Sequence, residues 1–91
     1  MAPELENIAG VSLVIYSRDH LLPHIHAFYG DHEAIIEIRS GKLIKGFLPA
    51  KKLKIVQQWL RVAGNRMRAE KNFYELNPTL NPENYRKKRE S

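Results

Sequence analysis

The 91-residue sequence predicts an α+β domain: an antiparallel sheet of three to four strands, packed by one long C-terminal helix and followed by an extended basic tail. Three observations predict it. Short β-branched or alternating apolar segments fill the stretch from Val11 to Phe47. The turn dipeptides Gly30-Asp31 and Ser40-Gly41 separate the later of them. From Leu53 onward the apolar residues change to helical spacing, and strands followed by a helix make an α+β arrangement.

Residues 1–10 read as a flexible lead or a first edge segment. "VSLVIYS" (Val11–Ser17) is apolar at nearly every position, as in a strand covered on both faces. Something must then cover the second face of the sheet, either the tail or another copy of the chain. "RDHLLP" is a loop ending at Pro23. "HIHAFY" (His24–Tyr29) and "HEAIIEI" (His32–Ile38) form a hairpin around Gly30-Asp31, where a first-position Gly favours a type II′ turn. "KLIKGF" (Lys42–Phe47) is a fourth strand. A helix is expected from Pro49 to Lys71, with Leu53, Val56, Trp59, Leu60, Ala63 and Met67 on its apolar stripe and Gly64 as a weak point. The single domain spans 1–91, with a core of about 8–71. The tail from 72, with two Asn-Pro pairs, reads as extended and partly flexible.

Composition narrows the function classes. At 43% hydrophobic and 27% charged, the chain is an ordinary globular one. It has no cysteine, which excludes disulfides, a thiol nucleophile and a thiolate metal site. No apolar run is long enough to span a bilayer, and "MAPELENIAG" lacks the pattern of a signal peptide. The expectation is a soluble, cytoplasmic protein with no membrane partner.

Charge is unevenly placed. Residues 1–41 hold two basic side chains against six acidic ones, and residues 42–71 hold nine against one. Such asymmetry fits a polyanion (RNA or DNA) or a small acidic partner protein. It also fits a plain solvated helix face. Lys51, Lys52, Lys54, Arg61, Arg66 and Arg68 are the candidate phosphate contacts, with Tyr29 as a ring on which a base could stack.

All four histidines lie in "RDHLLPHIHAFYGDHE". The hairpin register sets His24, His26, Phe28, Glu33, Ile35 and Glu37 on one face, with Glu37 opposite His24. Ile25, Ala27, Tyr29, His32, Ala34, Ile36 and Ile38 take the core face. Histidine titrates near neutral pH, so two imidazoles beside a carboxylate suit acid–base chemistry. The candidate catalytic set is His20, His24, His26, Asp19 and Glu37. The same face also fits a solvent-facing His–Glu pair of small energetic worth, or an H-x-H metal site with a third ligand from His20, Asp19 or a glutamate. Asp19 is equally suited to forming a turn. No cofactor is expected.

"YSRDHLLPHIHAFYGDHEAIIEI" followed by "GFLPAKKLKIVQQWL" resembles a small bacterial family catalogued as a domain of unknown function, number 4160. The matching positions are Asp19, His20, Pro23, His24, His26, Ala27, Tyr29, Gly30, Ala34, Leu48, Pro49 and Trp59, within residues 8 to 70 or so. Leu22 stands in place of a first proline, and Ile25 in place of an aromatic. The resemblance implies a short bacterial protein encoded beside a second small protein, in a toxin–antitoxin-like arrangement. It implies no established activity.

Three functions therefore stand open. One is a toxin–antitoxin-type nucleic-acid-binding protein with metal-independent ribonuclease activity, its histidines moving protons while the basic helix holds phosphates. The second is a non-catalytic interaction module whose basic helix docks an acidic partner, its histidines being structural or pH-responsive. The third is an H-x-H metal-binding protein.

Overall fold

The structure, a computed structural model, describes residues 4–16 and 22–78. Its order is β1 (Glu4–Ile8), β2 (Val11–Val14), β3 (His24–Tyr29), β4 (His32–Glu37), β5 (Leu43–Gly46), α1 (Ala50–Arg61) and α2 (Ala63–Leu76). The five strands form one antiparallel sheet in the order β1-β2-β3-β4-β5. The fold class is thus the one expected, with an extra edge strand from the N-terminal lead.

That extra strand follows from a two-residue turn. Ala9 (φ 50°) and Gly10 (φ 83°) both take positive φ, the geometry whose twist matches the flanking strands. The β3–β4 turn differs: Gly30 has φ 57° while Asp31 stays negative, as a type II′ turn requires. Its register is the one read from sequence, with His24 opposite Glu37, His26 opposite Ile35 and Phe28 opposite Glu33.

One face of the sheet carries the core. Val11, Leu13, Ile15, Ile25, Ala27, Ala34, Ile36 and Ile38 pack with Leu48, Val56 and Leu60, and with Ala69 and Phe73 from α2. Both helices therefore cover the same face. Each fully buried Val, Leu, Ile or Phe side chain here contributes about 1.5–3 kcal/mol of hydrophobic stabilisation.

The expected single helix is two. At Val62 the backbone turns extended (φ −73°, ψ 117°), and its N–H closes onto Trp59 O at 3.3 Å. A helix end leaves carbonyls without intrahelical partners. Here Asn65 Nδ2 donates to Trp59 O, so the sequence supplies its own cap for the break. The break resets the helical phase. Ala63 and Met67, expected on the apolar stripe, are exposed, and Ala69 and Phe73 take the core positions instead.

The end of the core also shifts. The first residues of the tail expected from 72, read as extended and partly flexible, are helical through Leu76, and Phe73 is fully buried. Asn77, itself buried, donates from Nδ2 to Tyr16 O and to Phe73 O, both at 3.0 Å, tying the helix end to the chain beyond β2. Arg39 Nη2 reaches Glu70 at 3.0 Å and ties the β4–β5 connection to α2. The hydrogen bond and charge of Glu70 hold the Arg39 guanidinium above its ordinary value. Among the described residues, no helix is long and apolar enough to cross a membrane.

Candidate functional site: a histidine face and a cationic stripe

The β3–β4 pairing puts His24, His26, Phe28, Glu33, Ile35 and Glu37 on the face opposite the apolar core residues Ile25, Ala27, Ala34 and Ile36. Within that face the partners are diagonal. His26 Nδ1 donates to Glu33 Oε2 at 3.0 Å, and the Glu33 side chain is half-exposed. The carboxylate accepts only, so the bond assigns the proton to Nδ1. Around His26 stand Tyr16 in an edge contact at 4.6 Å, His24 at 5.3 Å, and Phe28 nearly parallel at 6.4 Å. The Nε2 atom of His26 is buried.

Glu37 faces His24 in register, but its carboxylate accepts from the Ser40 hydroxyl at the next turn. His24 is only 1% exposed. Its Nδ1 donates to Leu22 O at 2.7 Å, and its ring meets Phe73 at 5.6 Å. The expected His24–Glu37 pair is thus replaced by His26–Glu33. Each short side chain finds a closer acceptor or donor: the twist of the sheet favours the diagonal glutamate, and the tight turn offers Ser40. Glu33 was visible on this face in the sequence but had no assigned role. Asp19 and His20 lie outside the described residues. Among the described residues, no group of three His, Asp or Glu side chains is placed to hold a metal ion.

The cations divide into two sets. Lys52 Nζ donates to Ala9 O at 2.8 Å and lies 4.8 Å over the Tyr29 ring. Both residues are half-buried on the helix side, and Tyr29 packs against the core cluster. Arg68 binds Glu6 Oε1 at 2.7 Å and Leu5 O at 2.6 Å, while Arg66 turns back towards Leu60 O. These three are engaged within the fold.

Lys51, Lys54 and Arg61 behave differently. They are exposed, and among the described residues none lies in an ion pair. Their spacing places them with Gln58 on one stripe of α1, opposite the buried Val56 and Leu60. The stripe is about 15 Å long at 1.5 Å of rise per residue. It faces away from the sheet, whereas His26 lies on the sheet's far side. A phosphate seated on the stripe therefore does not reach the histidines.

No curated protein and no solved structure matches the chain. A family model does match, over residues 10–70, which holds the hairpin, the histidine face and most of both helices. The chain belongs to the family described as a domain of unknown function (DUF4160).

Proposed function

We propose that this protein is a non-catalytic nucleic-acid-binding module of toxin–antitoxin type, which docks a polyanion through Lys51, Lys54 and Arg61 on α1. The observation that carries this is the exposed cationic stripe, which among the described residues has no carboxylate partner. Keeping Lys51 and Lys54 three residues apart on one helix face costs a little stability, and a phosphate backbone relieves that cost. The net charge of +5 adds long-range attraction.

Binding is favoured over cleavage by the histidine geometry. A general acid or base must come within hydrogen-bond reach of the proton it moves. His24 is sealed, and the Nε2 of His26 is buried while Nδ1 is held by Glu33. The stripe also lies on the opposite side of the sheet. The test is fluorescence anisotropy with a labelled single-stranded RNA and a labelled DNA duplex, comparing the native chain with Lys51→Glu/Lys54→Glu/Arg61→Glu. Loss of binding in the triple variant supports the reading. Equal binding by both proteins rejects it.

A further inference from the structure

The two edges of the sheet are treated differently. At β1 the register shifts between Glu4 and Glu6, and Arg68 holds both the Leu5 carbonyl and the Glu6 carboxylate. Irregularity and side-chain capping are ordinary ways of closing a sheet edge. At β5 the register also shifts, with Ile44 as the extra residue between the partners of Ile35 and Ile36, but among the described residues no side-chain hydrogen bond caps the strand. Three of its four residues are exposed, and half of an edge strand's backbone groups point away from its neighbour.

β5 is held in place by a glycine. Gly46 has φ +85°, and a Cβ there would lie 2.1 Å from the Glu33 carbonyl oxygen. The strand is therefore drawn tightly onto β4, and the opposite edge stays open. Apolar side chains gather beside it: Ile44 is 44% exposed, Phe47 57% and Leu22 66%. An open hollow of about 350 Å³ lies at its first half, lined by Leu22, Glu37, Lys42, Leu43 and Ile44. Lysines on an edge strand often serve to prevent pairing. That role does not require three exposed apolar side chains and a hollow beside the lysines.

Charge selects the occupant. Lys42 and Lys45 are exposed and form no ion pair among the described residues. A second copy paired antiparallel through its own β5 would bring lysines against lysines. A second copy offering β1 would first have to release Glu6 from Arg68. The chain's own last residues include Arg86, Lys87, Lys88 and Arg89, which carry the same sign as the edge. What remains is an acidic strand from a different protein.

We propose that β5 is a strand-addition site. An extended acidic segment of a partner protein pairs with it as a further antiparallel strand. One apolar side chain of that segment fills the hollow at Leu22, Leu43 and Ile44, and carboxylates to either side meet Lys42 and Lys45. Backbone hydrogen bonds supply the affinity, while the alternation of apolar and acidic residues supplies the specificity. The site is separate from the α1 stripe, so a partner strand and a polyanion are bound independently.

The test uses the full chain, isotope-labelled for NMR, and two end-blocked synthetic eight-residue peptides of equal composition. One alternates Glu with Val; the other has all its Glu residues before all its Val residues. The expected result is saturable shifts centred on Leu43 to Phe47 with the alternating peptide, and affinity about tenfold lower for the blocked one. The Lys42→Glu/Lys45→Glu variant, with an unchanged circular dichroism spectrum, should also lose about tenfold. It should still bind RNA through the α1 stripe, weakened only by the lower net charge. Equal binding of both peptides, shifts centred on α1, no saturable binding, or dimerisation through β5 without peptide would each overturn the proposal.

Discussion

His26 and Glu33 form a diagonal pair across β3 and β4, 3.0 Å from Nδ1 to Oε2, although His26 stands opposite Ile35 and Glu33 opposite Phe28. The pair fixes one imidazole proton in the middle of an aromatic row. It does so on the sheet face opposite the apolar core. Its worth is modest, because Glu33 is half in water, and pairs of that exposure contribute between about 0 and 1 kcal/mol. Glu33→Gln should therefore change the free energy of urea unfolding by no more than about 1 kcal/mol. A larger loss would mean that the pair anchors more of the face than its exposure suggests.

His24 should be the costly histidine. It is buried, bonded to Leu22 O and packed against Phe73. Truncation to Ala removes a ring from a closed site and leaves a cavity, a change worth about 2–4 kcal/mol. Chemical denaturation of His24→Ala beside His26→Ala checks the order. A smaller loss at His24 would contradict its assignment as a packing residue.

Gly46 should not tolerate a side chain. Gly46→Ala places a Cβ against the Glu33 carbonyl in a backbone conformation that L residues avoid. The expected result is fast amide exchange along β5, with β3 still protected. Unchanged exchange at Phe47, whose N–H donates to Glu33 O at 2.9 Å, would show that the strand adapts.

Chelator-treated protein should not cleave RNA above the buffer rate between pH 5 and 9. The proton-moving atoms of His24 and His26 are held or buried. A bell-shaped rate profile that disappears in His26→Ala would establish acid–base catalysis on the sheet face and displace the binding account.

Much of this was legible in the sequence where a local rule governs. Gly30-Asp31 set the hairpin register, and strict alternation then set which residues share a face. The class of fold followed from the change of period after Phe47. Three things were not legible. The break at Val62 depends on Asn65 reaching back to Trp59 O, a contact no periodicity encodes. The engagement of Lys52 and Arg68 by internal partners depends on neighbours far away in the chain, Ala9 and Glu6. That the stripe and the histidines lie on opposite sides of the sheet follows only once both helices are seen on one face. Charge count alone treated all the cations as equal.

The most direct test of the central claim is the salt dependence of RNA binding. If Lys51, Lys54 and Arg61 each neutralise one phosphate, the logarithm of the association constant should fall with the logarithm of salt at a slope of about −2 for a single strand. The triple charge reversal should abolish both the binding and the slope. A slope near zero, or an unchanged slope in the triple variant, would contradict a polyanion site on α1.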